Sequence, residues 1–366
     1  MRVGVLTSSR ADYSIYFPLL KALRAGKSIA LEIIAFGTHL SELHGKTVTK
    51  IEEDGFSVNY RIQTVPDNDT PGSISRSMGE TVSRFSALWG KEKFDLVFCL
   101  GDRYEMFAAC ASTVPFNIHL AHLHGGEKTL GAIDDVFRHA ITHMSSYHFT
   151  AAEPYRKRVI ELKGAPDHVY NVGALSIDNL KSLTPLSLDD FKKQFQIDLS
   201  IPSILITFHP ETVAPEKNEF YIQELISALD MIKGYQYIFT MPNADTMGGK
   251  VRTAIQHFIA RTPHSNGVES FGTIGYLSCM KHCSFMMGNT SSGFIEASFF
   301  PKYVINLGER QRGRLMTDNM VMCPIARQEI IHAVELFLKK SLPTKIRMYG
   351  NGNTAAAIMD VLNSIQ

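Results

Sequence analysis

Short apolar runs recur along this chain, each closed by a glycine or a polar cluster and each followed by a longer amphipathic stretch. RVGVLTS (2–8), ALEIIAFG (30–37), FDLVFCLG (94–101) and FNIHLAHLHGG (116–126) read as buried strands, with helical patterns at 18–26 and around 74–91. Strands alternating with helices form βαβ units and a parallel sheet. The pattern restarts after a helical stretch at 187–195. SILITFHP (203–210), YQYIFTMPN (235–243), CSFMMGN (283–289) and YVINLG (303–308) then read as strands, with a helix at 219–232 and a last one at 354–365.

The fold class predicted is therefore α/β, with two doubly wound Rossmann-like domains facing a central cleft. The first covers 1–175 and the second 176–345. The segment 346–366 carries the C-terminal helix. VGALSIDNLKSLTPLSL, with its Gly, Ser and Pro between clear elements, marks the junction. In such sheets ligands bind off the carboxyl ends of the strands, where strand order reverses. The chemistry is therefore sought in the strand-end loops.

With 366 residues and 45% hydrophobic content, the chain has material for two cores, which excludes a disordered or disulfide-stapled class. Lys and Arg number 37 against 36 Asp and Glu, a net charge of +1. No global basic surplus points to nucleic acid, so an anionic ligand needs a local basic site. No apolar stretch is long enough to span a membrane. The opening MRVGVLTSSR lacks the pattern of a secretory leader. The five cysteines follow no framework and read as reduced cytoplasmic thiols. Cys279, His282 and Cys283 lie close together, but no second ligand pair follows at zinc-site spacing, so no metal is expected.

In the first half, TSSRADYS (7–14) follows a strand and offers Arg10 to a phosphate or carboxylate. Neither a Gly-x-Gly-x-x-Gly nor a Walker-type loop is present. GDRYE (101–105) sets Asp102 and Arg103 at a strand end, one able to orient a sugar or act as a base, the other to neutralise phosphate. HLAHLHGGEK (119–128) groups His122, His124 and Glu127 about two glycines. It reads as a proton-transfer or sugar-binding loop, with His-x-His zinc chelation and backbone-satisfied strand histidines as the alternatives. AIDDVFRHAITH (132–143) sets Asp134 and Arg138 four apart on one helix face, beside Asp135 and His139.

In the second half, FHPET (208–212) offers His209 and FTMPNAD (239–245) offers Asn243. GNTSSGFIEASFF (288–300) gives the sharpest signal. Its backbone N–H groups and the hydroxyls of Thr290, Ser291 and Ser292 read as an anion cradle at a helix start, with Glu296 on the second turn to meet a ribose. GERQRGR (308–314) adds Arg310, Arg312 and Arg314.

Taken in order, TSSRADYS, GDRYE, HLHGGE, AIDDVFRHAITH, FHPET, PNAD, GNTSSG with Glu296, and NLGERQ resemble the hydrolysing UDP-N-acetylglucosamine 2-epimerases of bacterial sialic acid and nonulosonate biosynthesis. The resemblance runs over roughly 1–350. It implies a GT-B-like fold, a UDP-sugar substrate, no cofactor, no nucleic-acid or membrane partner, and a homodimer or homotetramer. Thr290 and Ser291 would hold the diphosphate and Glu296 the ribose. Arg10 and Arg310 would complete the anion site near His209 and Asn243. Ser14 also falls on the substrate-binding side. Asp102, Arg103, Asp134 and Arg138 would face the sugar.

Some members carry glutamate where this chain has His124, so the base stays open among Asp102, His124, Glu127 and Asp134. The expected reaction turns UDP-N-acetylglucosamine into N-acetylmannosamine and UDP. The nearest alternative is the same reaction on UDP-2,4-diacetamido-2,4,6-trideoxyglucose. A non-hydrolysing epimerase, a glycosyltransferase and a non-catalytic nucleotide-sugar sensor stand further off.

Overall fold

Why the chain forms two cores follows from where its apolar runs fall. In the computed structural model the chain divides into two compact units. One comprises Met1–Glu127, Asp134–Lys181 and Met348–Gln366, the other Lys128–Ile133 and Ser182–Arg347. The described residues are all but 43, 44, 67, 69, 243–247, 301, 342, 343 and 366.

The first unit runs β1 (Arg2–Thr7), α1 (Arg10–Ala25), β2 (Ala30–Phe36), α2 (Val48–Glu53), β3 (Val58–Ile62), α3 (Pro71–Trp89) and β4 (Leu96–Leu100). It continues with α4 (Tyr104–Ala111), β5 (Leu120–Leu123), α5 (Asp134–Met144), β6 (Tyr147–Thr150), α6 (Glu153–Lys163), β7 (Val169–Asn171) and α7 (Leu175–Ser182). The second unit runs α8 (Leu188–Phe195), β8 (Ser203–Thr207), α9 (Asn218–Met231), β9 (Gln236–Thr240), α10 (Gly248–Arg261), β10 (Ser265–Val268) and α11 (Gly272–His282). Then come β11 (Phe285–Gly288), α12 (Glu296–Phe299), β12 (Val304–Leu307), β13 (Met320–Cys323) and α13 (Arg327–Leu338). The final helix, α14 (Thr354–Ser364), returns to the first unit.

Both sheets are parallel and doubly wound. The first has order β3-β2-β1-β4-β5-β6-β7 and the second β10-β9-β8-β11-β12-β13. Parallel strands covered on both faces need side chains that are apolar on both. β4, read LVFCL, is buried at every position, and so is β8, read SILIT. In the first unit, Leu19, Leu20 and Leu23 of α1 share a core with Ile358 and Leu362 of α14. Full burial of each of the last two is worth about 2 kcal/mol.

The eight strands expected from apolar runs are present. The run at 116–126 supplies only Leu120–Leu123, because a 3-10 turn occupies Val114–Phe116 and the glycines at 125 and 126 leave the sheet. Among the described residues five further strands are found. β6 and β7 are short, β10 is polar (SNGV), and β3 and β13 are only half-buried.

Topology fixes where chemistry can sit. Strand order reverses between β1 and β4 in the first sheet and between β8 and β11 in the second, and each of these pairs is adjacent. The loops leaving their carboxyl ends begin at Ser8 and Gly101, and at Phe208 and Asn289.

Candidate active site

In the first unit, Asp12 uses its charge on structure. Its carboxylate accepts from the backbone N–H groups of Ser8 (2.7 Å), Ser9 (2.8 Å) and Tyr13 (2.8 Å), completing a capping box with Ser9. That geometry pins the β1 loop and starts α1 at Arg10, whose side chain is half-buried. Ser14 lies one turn on, its carbonyl accepting from the Asn179 amide at 2.7 Å. The buried His39 braces the same loop between Thr7 Oγ1 (2.9 Å) and Thr47 Oγ1 (2.8 Å), and burial pushes its pKa down.

At the end of β4, Arg103 donates from Nε to the buried Glu105 carboxylate at 2.8 Å, so its charge is balanced locally. Asp102 instead receives the Nη2 of Arg138, which is buried on α5. Asp134 opens α5, and Asp135 meets His139 at 3.4 Å as the four-residue spacing predicts. His122 is completely buried within β5. Its Nε2 lies 2.8 Å from the Gly101 carbonyl and its Nδ1 3.1 Å from Thr142 Oγ1. Burial drives its pKa down to about 4.

His124 leaves β5 in the left-handed region, with φ 66°, and its N–H donates to the Phe149 carbonyl at 3.1 Å. A non-glycine residue held there stores about 1–3 kcal/mol of strain, a feature that clusters at functional sites. The reward is contact with Glu127: His124 Nδ1 and Glu127 Oε1 are 2.7 Å apart, both side chains being buried.

In the second unit one amide joins three strand ends. The buried Asn289 follows β11. Its Oδ1 accepts from His209 N–H at 2.8 Å and its Nδ2 donates to the His209 carbonyl at 2.8 Å. Its own carbonyl accepts from Gln311 Nε2 (2.9 Å) and Arg310 Nη1 (3.3 Å). The β8, β11 and β12 loops are thus tied together at His209, Asn289 and Arg310. Gly288, with φ 141°, makes this possible, because a Cβ there would run into the Thr207 carbonyl. Beneath it, the buried Glu211 accepts from Glu309 N–H at 2.8 Å.

The expected anion cradle is built differently from a long helix start. Thr290 caps one 3-10 turn, Ser291–Gly293, and Glu296 is the first residue of the four-residue α12, not a second-turn residue. Of the three hydroxyls, that of Ser292 is engaged by Tyr276 (2.5 Å) and Thr290 (3.1 Å). The three expected arginines part company. Arg310 turns to Asn289, Arg314 is buried against Gln311, and Arg312 is exposed beside Glu309 at 3.5 Å. The segment Lys128–Ile133 packs within this unit: Leu130 N–H donates to the Arg312 carbonyl (3.0 Å) and Ile133 N–H to Thr212 Oγ1 (2.9 Å). Asn243 lies outside the described residues.

Sequence reading missed His39, Glu105, Asn289 and Gln311, and left His122 without a role. Of these five, only His39 lies outside the segments singled out from the sequence. Cys279 and Cys283 are buried, and burial pushes both thiols up, Cys283 to about 11, so they stay protonated and make poor metal ligands. No helix among the described residues is long and apolar enough to cross a membrane.

The family model described as UDP-N-acetylglucosamine 2-epimerase matches residues 21–363. Over 321 residues the chain is 36% identical to the GDP/UDP-N,N'-diacetylbacillosamine 2-epimerase (hydrolyzing) of Campylobacter jejuni, covering 87% of this chain and 83% of that one. Over 364 residues it is 31% identical to the UDP-N,N'-diacetylbacillosamine 2-epimerase (hydrolyzing) of Legionella pneumophila, covering 100% and 96%. Among solved structures, UDP-GlcNAc 2-epimerase from Neisseria meningitidis bound to UDP-GlcNAc superposes with a TM-score of 0.82 at 16% identity, over 100% of both chains. That likeness carries the fold, two doubly wound α/β units of the GT-B-like kind expected. Family model, relatives and fold agree: the chain belongs to the hydrolysing UDP-N-acetylglucosamine 2-epimerase family.

Proposed function

We propose that this protein is a hydrolysing 2-epimerase of a nucleoside-diphosphate sugar and that its substrate is UDP-2,4-diacetamido-2,4,6-trideoxyglucose, that is, UDP-N,N'-diacetylbacillosamine. The products are UDP and 2,4-diacetamido-2,4,6-trideoxymannose. Two relatives named for that sugar support this substrate over UDP-N-acetylglucosamine. One of them is named for GDP as well as UDP, so the base is tested alongside the sugar.

The observation that carries the reaction is the His124–Glu127 pair at the end of β5. A carboxylate can only accept, so Nδ1 of His124 carries the proton and Nε2 keeps its lone pair. Nε2 takes the proton from sugar C2. The C–H electron pair becomes the C1–C2 double bond, and the C1–O bond breaks with its pair going to the departing diphosphate. Water then adds its oxygen to C1 of the glycal, and a proton returns to C2 on the opposite face. Asp102 is not assigned as the base, since its carboxylate is already engaged by Arg138. It holds the sugar, together with Arg103 and Asp134.

The second unit stabilises the leaving group. Arg310, His209, Thr290 and Ser291 hold the diphosphate, and Glu296 holds the ribose. Preorganised donors at the charge that develops are the largest expected contribution to rate. No metal or redox group is needed for this elimination and hydration.

The test is proton NMR in deuterium oxide with three donors: UDP-N-acetylglucosamine, and the diacetamido-trideoxy sugar on UDP and on GDP. Release of UDP with a C2-deuterated manno product from the second donor supports the reading. Faster turnover of UDP-N-acetylglucosamine would overturn the substrate, and a nucleotide-bound manno product without UDP release would overturn the hydrolytic course.

A further inference from the structure

We infer that His122 is a positioning residue, a neutral imidazole strut that sets the spacing between the Asp102 loop and α5. The role in turnover rests on the activity proposed above. The strut itself stands on the geometry alone.

The argument begins with the carbonyl of Gly101. It can only accept, so the His122 nitrogen 2.8 Å away, Nε2, is the protonated one. The side chain is wholly buried and burial disfavours its charged form, so only one ring proton is present. Nδ1 therefore has a lone pair, and Thr142 donates its hydroxyl proton to it at 3.1 Å. Both ends of the imidazole are thus satisfied in one tautomer and in one direction.

What the strut joins gives it meaning. Gly101 immediately precedes Asp102, and Thr142 lies one helical turn beyond Arg138 on α5. The link Gly101–His122–Thr142 therefore runs beside the link Asp102–Arg138 and spans the same two segments. Two links between the same two segments restrain their relative motion more than either does alone. The loop after β5 leaves room for the imidazole: a Cβ on Gly125 would meet His122 Nδ1 and Thr142 Oγ1, both at 3.1 Å. His122 is also two residues from His124, so the strut holds the root of the proposed base.

The test uses His122→Phe, His122→Gln and Thr142→Val in the full chain, with two readouts. The first is the nitrogen-15 spectrum of the histidine rings near neutral pH. The expected signature is a His122 ring protonated only at Nε2, identified by its loss in both His122 variants, with mixed tautomers of that ring in Thr142→Val. A His122 ring protonated at Nδ1, assigned by its loss in the His122 variants, would overturn the strut. The second readout is steady-state turnover of the nucleotide sugar together with calorimetric UDP binding. Misplacement of catalytic groups by about 1 Å is worth about 10²-fold in rate, and His122→Phe is expected to lower kcat by that order with UDP affinity unchanged. His122→Gln keeps a donor for Gly101 and recovers much of the loss, and it covers the case in which His122→Phe does not fold. Wild-type kcat in either His122→Phe or both milder variants would overturn the positioning role. If the wild-type protein turns over no nucleotide sugar, the activity reading fails while the tautomer spectrum still decides the strut.

Discussion

The imidazole of His124 meets the carboxylate of Glu127 at 2.7 Å across a backbone that His124 holds at φ 66°. The strain and the contact belong together, since the left-handed turn brings a strand-end side chain back over the loop that follows it. If the pair is the acid–base unit, the two residues contribute unequally. His124→Ala removes the proton acceptor and is expected to lower kcat about 10²–10⁴-fold, the usual range for general acid–base catalysis. Glu127→Gln keeps an acceptor for Nδ1–H but loses the negative charge facing the imidazolium that proton transfer creates, so a smaller fall of about 10-fold or more is expected. The measurement is UDP release alongside deuterium incorporation at C2. Full exchange in the Glu127→Gln protein would remove Glu127 from the proton path.

Asp102 and Arg138 predict a loss of another kind. Arg138 is 2% exposed, while the Asp102 side chain is 20% exposed. Removing the carboxylate takes a charged hydrogen bond from a buried cation, worth about 1.5–3 kcal/mol. Asp102→Asn is therefore expected to lower stability in urea by that amount as well as to slow turnover. Loss of turnover at wild-type stability would assign Asp102 to the sugar and leave Arg138 structurally indifferent to it.

The second unit depends on Asn289. Its side chain matches both backbone groups of His209, one acceptor and one donor. Asn289→Asp preserves the shape but turns an oxygen toward the His209 carbonyl. One hydrogen bond, worth about 1 kcal/mol, is replaced by oxygen–oxygen repulsion, and the backbone at position 289, whose carbonyl accepts from Arg310, is pushed from its place beside His209. UDP affinity is expected to fall by about tenfold or more, read by calorimetry, with the first unit's histidine spectrum unchanged. Unaltered UDP binding would show that the three strand ends hold their places without this amide.

What was legible in the sequence followed from burial. The strands that form the middle of each sheet are buried on both faces, so they read as continuous apolar runs, as in LVFCL and SILIT. β10 and β7 gave no such run, because an edge strand has fewer neighbours to satisfy. Strand-end loops were legible because topology directs ligands to them. The partnerships inside those loops were not. Asp102 and Arg138 stand 36 positions apart, and only the fold brings them together. Asp12 carries no signal of its own in TSSRADYS, yet it is buried and consumed by backbone N–H groups. Asn289 was hidden by the hydroxyls that follow it, which carried the more familiar signature of an anion site.

Buried histidines set the dependence of stability on pH. His122 and His148 are both buried on neighbouring strands, and burial lowers their pKa values to about 4 and about 3. In the unfolded chain each returns to 6.5. Below 6.5 the unfolded state binds protons that the folded state refuses, so stability must fall with pH. The contribution of each neutral histidine is complete above 6.5 and is lost as pH descends toward 4 for His122 and 3 for His148. Between pH 6.5 and 5 the loss is about 1.5 kcal/mol for each. His39 is shifted the same way and adds to the slope. That interval lies above the carboxylate range, so the histidines dominate it. Urea midpoints of the wild-type protein are expected to drop over this interval, and His148→Met, with a side chain of similar bulk that does not titrate, should flatten the slope by about 1.5 kcal/mol. An unchanged slope in that variant would mean that His148 takes up its proton without opening the fold.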